Sequence, residues 1–314
     1  MTGSSARHSR GPLASFAAML LLLILLAALP TALAGCSRRA PERPETESAS
    51  AGESAEGVTY PALEGLVFVR GDQIWAVEDA VPQPVIESQA PRSVRAVRSR
   101  EAITYVELDG PHALVQSAVR GDWRAEPLWE STLGSLLIEV VHDDVADALW
   151  FSAGGESTTT IGVRERGGDE GGYALSLPVD ASGSFDVDFA HGTLYITGAA
   201  QHPTALHAIG ETSRDLFSAA LLFAPRLSPD GRTLVATGSE RPGEPLRVWA
   251  IDVESGRGAV LEPGPGTPVD PVWSPDGSVI AFRDTETGTV WTVPARGGPS
   301  TDSGLAADEG GLAW

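Results

Sequence analysis

The sequence predicts an all-β fold assembled from one structural unit that recurs about every forty residues. From about Leu63 onward the chain consists of short β-rich runs separated by Gly, Pro and Asp, and no stretch keeps a helical period. Two segments of the C-terminal third, residues 224–256 and 271–298, also resemble each other closely. Self-similarity at a fixed period is typical of repeat architectures, in which each unit buries its apolar face against its neighbours.

Both segments carry the same turn between two apolar strands. A polar loop and a third strand of the form Val-Trp-x-Ile/Val follow in each case. The turn residues are Ser228, Pro229, Asp230 and Gly231 in the first segment and Ser274, Pro275, Asp276 and Gly277 in the second. Pro presets φ, and we expect Asp-Gly to take the positive φ values of a tight hairpin. These residues are predicted to be structural rather than catalytic.

The Leu/Trp-Ser-Pro-Asp-Gly hairpins resemble the repeats of TolB-type β-propellers, a WD-like class of exported bacterial proteins. The resemblance implies a propeller with four strands per blade. The motif is specific for the blade and much less so for the function. In the family, the resemblance implies, one propeller face receives a partner lipoprotein. That partner is not carried over, because the additional N-terminal domain expected of TolB has no counterpart in our interpretation of this sequence.

The spacing of the innermost strands predicts six blades. The markers chosen on these strands are Val94, Glu139, Val187, Arg226, Val272 and Leu312. Successive markers are 45, 48, 39, 46 and 40 residues apart, which suits four strands per blade.

The last marker belongs to a unit whose continuation is found near the start of the repeat region. The residues GGLAW at 310–314 match the start of a blade, whereas residues 66–78 match the continuation. We therefore expect an all-β six-bladed β-propeller whose ring is closed by the C-terminal strand completing the first blade. Trp75, Trp249 and Trp291 occupy the same third-strand position, so we expect them to pack between blades.

The N-terminus predicts export and lipidation. A short basic region precedes an apolar run over residues 17–34, and the run ends at Leu33, Ala34, Gly35 and Cys36. This resembles a bacterial lipoprotein signal, which implies that Cys36 is acylated and becomes the mature N-terminus. The alternative is a retained membrane anchor, against which Pro30 and the small residues argue. The predicted organisation is a removed signal peptide (1–35), a lipidated Cys with a disordered tether (36–57), and the propeller (58–314).

The charge of the chain excludes one class of partner. The net charge is −20, and residues 58–314 carry all of it, with 17 Arg against 37 acidic residues. Such a surface repels phosphate backbones, so we expect no nucleic-acid partner. The single Cys excludes an internal disulfide, and its position beside the predicted cleavage site favours lipid attachment.

Acidic residues recur at or near the starts of the inner strands. They are Glu139, Asp186, Asp188, Asp270, Asp308 and Glu309. Strand alternation directs only some of them into the channel. Those that converge would form an acidic channel mouth able to hold Ca²⁺ or to receive a cationic side chain. Chance clustering among 37 acids is the competing interpretation.

Two histidines are weaker candidates for a metal site. His142 and His191 fall at corresponding hairpins of successive units, and imidazole with carboxylate suits Zn or Mn. Solvated turn residues are the alternative that the sequence favours, so no metal and no cofactor is predicted, with Ca²⁺ the one exception kept open.

The predicted function is that of a non-enzymatic lipoprotein, monomeric and tethered on the extracytoplasmic side of a bacterial membrane. Its propeller would bind an envelope protein or act as a scaffold. Neither Gly-x-Ser-x-Gly nor His-Glu-x-x-His occurs, so neither hydrolase motif is present. The alternatives are a Ca-dependent propeller enzyme, of the lactonase or quinone-dependent sugar dehydrogenase type, and a sensor lipoprotein that modulates a membrane signalling protein.

Overall fold

The computed structural model describes residues 58–88, 90–109, 111–133, 137–154, 159–165, 174–177, 181–198, 204–261 and 266–314. These residues belong to a compact unit, Ala55–Trp314. The predicted signal peptide, the lipobox with Cys36 and the predicted tether lie outside the described residues. None of the helical segments within the described ranges is long and apolar enough to cross a membrane.

The described chain begins with a short 3-10 helix at Pro61–Leu63, and strands follow. The first twelve are β1 (Val67–Arg70), β2 (Gln73–Glu78), β3 (Val81–Glu87), β4 (Arg92–Ala96), β5 (Ala102–Asp109), β6 (His112–Val119), β7 (Ala125–Ser131), β8 (Leu137–Asp143), β9 (Ala148–Gly154), β10 (Thr159–Glu165), β11 (Ala174–Leu177) and β12 (Ala181–Asp188). The others are β13 (Thr193–Gly198), β14 (Thr204–Ile209), β15 (Ser213–Ala219), β16 (Leu221–Leu227), β17 (Thr233–Ser239), β18 (Arg247–Asp252), β19 (Gly258–Val260), β20 (Pro268–Trp273), β21 (Val279–Asp284), β22 (Thr289–Pro294), β23 (Thr301–Ala306) and β24 (Leu312–Ala313).

Within the described residues these strands form six four-stranded antiparallel sheets, the blades of a β-propeller. Blade 1 has the order β24-β1-β2-β3, and blades 2 to 6 contain β4–β7, β8–β11, β12–β15, β16–β19 and β20–β23. The innermost strands are therefore β24, β4, β8, β12, β16 and β20. The six-bladed prediction is confirmed.

Ring closure is also confirmed. The C-terminal strand β24 pairs antiparallel with β1, with Ala313 opposite Val67 and Leu312 opposite Phe68. Blade 1 thus takes its inner strand from one end of the propeller sequence and its outer strands from the other. The pairing removes two sheet edges that would otherwise be open to another chain.

The apolar core lies between neighbouring blades. Val235 and Val248 of blade 5, for example, share a cluster with Ile280 and Phe282 of blade 6, and all four are fully buried. The three repeated tryptophans each contact a cluster that spans two blades. This confirms the packing role predicted for their shared third-strand position.

The Ser-Pro-Asp-Gly turns form nearly the same hydrogen bonds in blades 5 and 6. In blade 6 the Ser274 hydroxyl donates to Asp276 Oδ1 at 2.6 Å and accepts the Val279 N–H at 3.0 Å. Only the glycine has positive φ, +70° at Gly277. The expectation that Asp also takes positive φ was wrong, because here the aspartate accepts hydrogen bonds through its side chain and its backbone remains in the ordinary region.

Candidate functional site: two cavities of the central channel

Alternate residues of the inner strands point into the channel and form two layers. The layer nearer the inner turns lines a cavity of about 370 Å³, here called the turn-side cavity. Its six members are Arg95, Val141, Asp186, Arg226, Val272 and Leu312. The second layer lines a cavity of about 620 Å³ on the side of the loops that join the blades, here called the loop-side cavity. Its residues include Ser93, Glu139, Ser184, Ala224, Asp270 and Gly310.

Bulges in the inner strands help to place these side chains. The register shifts between Arg92 and Arg95 and again between Val269 and Val272. Residues within such shifts have positive φ: Ser93, Ala224 and Asp270 all have φ of 51°. A bulge bends the strand and re-aims the neighbouring side chains, so arginines and acids from different blades can meet near the axis.

Between the two cavities, Glu139 is held by arginines from two other blades. Its Oε1 accepts hydrogen bonds from Arg95 Nη1 and, at 2.7 Å, from Arg226 Nη2. Its Oε2 accepts the Phe185 N–H at 3.0 Å. Both carboxylate oxygens are therefore occupied by protein donors in a buried position, since the side chain is only 8% exposed.

Asp186 completes this network from blade 4. Its Oδ1 accepts a hydrogen bond from Arg95 Nη2 at 2.7 Å, and its Oδ2 accepts the Leu227 N–H at 2.6 Å. Arg95 therefore links Glu139 and Asp186, whereas Arg226 donates to Glu139. The four charged side chains sum to zero, so the centre of the channel is an ion-paired constriction and not an acidic one.

The network shifts the pKa values of its members in opposite directions. Burial by itself would raise the pKa of Glu139, but Arg226 and Arg95 hold it below the ordinary 4.5. Burial would lower the pKa of Arg95, but Glu139 and Asp186 raise it above its ordinary value. Burial and the neighbouring Arg95 lower the pKa of Arg226. The cluster is therefore ion-paired. Removing one member would leave its partner's buried charge uncompensated, which is costly.

Asp270 behaves differently from the other two channel acids. Burial raises its pKa above 3.8, although Arg226 and Arg283 act to lower it. Its nearest cation is Arg283, with 3.9 Å between Asp270 Oδ2 and Arg283 Nε. This is a charge contact but not a hydrogen bond.

The other three predicted acids take no part in the ion-paired network. Glu309 lines the loop-side cavity with Glu139 and Asp270. Asp188 lines the turn-side cavity, where its Oδ1 accepts the N–H groups of Ala190 and His191. Asp308 contacts the turn between β1 and β2 of blade 1, where its Oδ2 accepts the Gly71 N–H at 2.7 Å.

The two histidines are placed in unlike environments. His142 is buried within β8, at 6% exposure, whereas the side chain of His191 is 76% exposed in the turn after β12. His191 Nδ1 lies 2.7 Å from Asp188 Oδ2. Across the described ranges no three His, Cys, Asp or Glu side chains are grouped as metal ligands.

The channel arginines were not among the residues predicted from the sequence. Arg95 and Arg226 lie on strands that were correctly identified as innermost, but the predicted site contained acids and histidines alone. A signal was present: both arginines occupy corresponding positions of inner-strand motifs, SVRAV and APRLS. Arg283 gave no such signal, because it comes from the second strand of its blade.

Comparison with known proteins shows which solved structures share this fold. No family model and no curated protein sequence matches the chain. Among solved structures, TolB from Acinetobacter baumannii superposes with a TM-score of 0.63 at 14% identity, over 79% of this chain and 66% of the TolB chain. This chain has the TolB-like propeller fold. It spans about two thirds of the length of that TolB structure.

Structures of proteins with other names superpose on this chain as well. A chain of a nidogen/laminin complex superposes with a TM-score of 0.60 at 12% identity, over 79% of this chain and 97% of the other. An acylaminoacyl peptidase bound to a chloromethyl ketone has a TM-score of 0.50 at 12% identity, over 73% of this chain and 40% of the peptidase. At such identities the likeness shows the fold alone, since one fold serves many functions.

Proposed function

We propose that this protein is a membrane-tethered extracytoplasmic lipoprotein whose TolB-like propeller binds an envelope protein through one face, without catalysing a reaction. The observation that carries the proposal is that two channel carboxylates, Glu139 and Asp186, are fully committed to protein donors. Glu139 and Asp186 use both oxygens on protein donors. Carboxylates held in this way do not serve as general bases or as open metal ligands without breaking a buried ion pair.

The loop-side face is the better candidate for the binding surface. Its cavity is the larger of the two and has Ile138, Phe223 and Val269 among its lining residues. Ile138 is 40% exposed although it is a large aliphatic residue on an inner strand. Exposed apolar residues bordered by polar ones are typical of surfaces that bind protein partners.

Site-specific photo-crosslinking in the full-length, membrane-anchored protein tests this function. A photoreactive residue in place of Ile138 should give a discrete adduct with one envelope protein. The same residue in place of Val260, a similarly exposed apolar residue at 44% on the outermost strand of blade 5, should not. Ile138→Arg should weaken capture of that protein, and Val260→Arg should leave it unchanged. Equal adducts from both positions would contradict a binding role for this face.

The acidic channel residues are poor positions for a test of binding. Asp186 Oδ1 lies 2.7 Å from Nη2 of buried Arg95, so a cation in place of Asp186 would face another buried cation. Such a variant would report on folding before it reported on binding.

Two outcomes would favour the alternative functions. Stoichiometric Ca²⁺ in the purified protein would favour the propeller enzyme. A membrane signalling protein as the crosslinked partner would favour the sensor lipoprotein, which uses the same binding mode.

A further inference from the structure

The side chain of Arg283 is a buried cation that forms no hydrogen bond with the described residues around the loop-side cavity. The residue lies on β21, is 8% exposed, and lines the cavity. Its Nε is buried and has no hydrogen-bond partner within the described ranges. Its charged contact there is the 3.9 Å approach to Asp270, which is too long for a hydrogen bond.

The two arginines of the ion-paired network provide a comparison within the same channel. Arg95 donates to two carboxylates and to the Phe185 carbonyl oxygen. Arg226 donates to Glu139 and, at 2.7 Å, to the Pro225 carbonyl oxygen. Among the described residues, the guanidinium groups of Arg95 and Arg226 thus have hydrogen-bond partners, whereas that of Arg283 has none. A buried charge without hydrogen bonds is costly; only Nε of Arg283 is fully buried, so a group in the cavity can complete this position through the Nη atoms.

The surroundings of Arg283 define the charge of that group. The loop-side cavity is also lined by the acids Glu139, Asp270 and Glu309 and by the cations Arg92, Arg95 and Arg226. Glu139, Arg95 and Arg226 belong to the ion-paired network, and burial raises the pKa of Asp270. Outside that network the cavity holds Arg92 and Arg283 against Asp270 and Glu309, so a monoanion suits it better than a dianion such as phosphate, whose second charge would meet these acids.

We propose that the loop-side cavity binds a carboxylate group, held by the guanidinium of Arg283. A guanidinium presents parallel N–H donors in a planar fork that matches the two oxygens of a carboxylate. The cavity, at about 620 Å³, is large enough for the carboxylate to belong to a free organic acid or to an acidic side chain of a bound protein. This inference rests on the binding role proposed for the same cavity and adds the chemistry of the bound group.

The test uses the full-length protein in detergent micelles and small carboxylates as probes, so it needs no partner protein. The Nε–H NMR signal of Arg283 is assigned as the signal missing from Arg283→Lys. Sodium acetate and sodium butyrate should shift this signal saturably, and sodium chloride at equal ionic strength should not. Arg283→Gln and Arg283→Lys should each weaken carboxylate binding about tenfold or more, because a charge-assisted hydrogen bond is lost.

A matched control is Arg241→Gln, which removes the same charge from a side chain that is 74% exposed and paired with Glu244. It should bind acetate as the wild type does. An amide-capped peptide with one Glu, if it binds more tightly than butyrate, assigns the carboxylate to a protein partner, and the reverse order assigns it to a free acid.

Two results would overturn the inference: an Arg283 signal that responds equally to chloride, or wild-type affinity in both Arg283 variants. If the variants fail to fold, the titration of the wild type decides whether the site exists. The Arg283 signal is then compared with the Nε–H signals of the other arginines. If carboxylates bind and Ile138 yields no adduct, the partner proposal fails while the carboxylate site stands.

Discussion

Arg226 donates a hydrogen bond to Glu139 at 2.7 Å across the channel, although the two residues belong to blades 5 and 3. The contact bypasses blade 4, which joins the network separately through Asp186 and Arg95. Together with the pair between Arg95 and Glu139, these ion pairs connect four blades near the propeller axis. A channel crossed in this way is divided into two cavities, and each faces a different side of the ring.

We expect Glu139→Ala to destabilise the propeller by roughly 3–5 kcal/mol, because it leaves Arg95 and Arg226 buried without their shared carboxylate. The free energy of unfolding in denaturant titrations measures this. Glu244→Ala provides the control, since it removes an acid from the exposed pair with Arg241, for which a change within about 0.5 kcal/mol is expected. Similar losses in the two variants would show that the network adds no special stability.

The stability contributed by Glu139 should disappear in acid. Its pKa is lowered in the folded state, so the unfolded state binds the proton more readily. The stabilisation is present above the unfolded value of about 4.5 and is lost as the pH falls through the folded value. Unfolding free energies of wild type and Glu139→Gln, measured between neutral pH and acid, should therefore converge on acidification. A constant difference would contradict the lowered pKa.

For Asp270 we predict the opposite dependence of stability on pH. Because its pKa is raised, the folded state binds the proton more readily, and its contribution to stability falls as the pH rises through the folded value. Asp270→Asn removes the charge, so we expect it to match or exceed the wild type in unfolding free energy at alkaline pH.

The backbone supplies a control for that variant. Asp270 has φ of 51°, a left-handed conformation that Asn tolerates better than Ala. Asp270→Ala should therefore be less stable than Asp270→Asn by about 1 kcal/mol. If Asn and Ala were equally stable, the strain argument would fail.

Glycine should be required in the repeated turn because of its backbone φ, and not because a larger side chain would find no space there. Gly277 has φ of +70°, and a Cβ added at this position would have a carbon of Pro229 as its nearest neighbour, at 3.6 Å. Gly277→Ala should cost about 1 kcal/mol through left-handed strain. Thermal unfolding measures this, and Ser278→Ala at the exposed neighbour is the control, with a smaller effect expected from its Asp276 hydrogen bonds.

Lipidation can be tested through Cys36. We expect Cys36→Ser to abolish incorporation of labelled palmitate and to prevent the mature-size protein from forming. Ser37→Ala, at the next position of the sequence, should leave labelling and membrane fractionation unchanged. Continued labelling of Cys36→Ser would exclude acylation at this sulfur, and a wild-type protein that incorporates no palmitate would favour the retained-anchor interpretation of the apolar run.

The fold could be predicted in detail because its determinants are local and periodic. Ser274, Pro275, Asp276 and Gly277 close a hairpin with bonds between residues at most five apart. Repetition of that hairpin, with inner strands at regular spacing, was enough to count the blades and to pair the final strand with β1. The one local error concerned the φ of the turn aspartates, which stabilise the turn through their side chains.

The site could be predicted only in part. Glu139, Asp186 and Asp270 were identified as channel candidates, yet nothing in their spacing revealed which cations they meet. Glu139 lies 44 residues from Arg95 and 87 residues from Arg226 along the chain.

By itself, the sequence determined the repeat, the six blades, the closure of the ring and the distribution of the −20 charge. The tertiary structure decided which charges cancel at the axis and which arginine, Arg283, is left without a hydrogen bond among the described residues. The physical reason is that hairpins and apolar strands are specified by neighbouring residues. A buried charge acquires its partner only when bulged strands from separate blades converge, and that depends on where the whole ring places each strand.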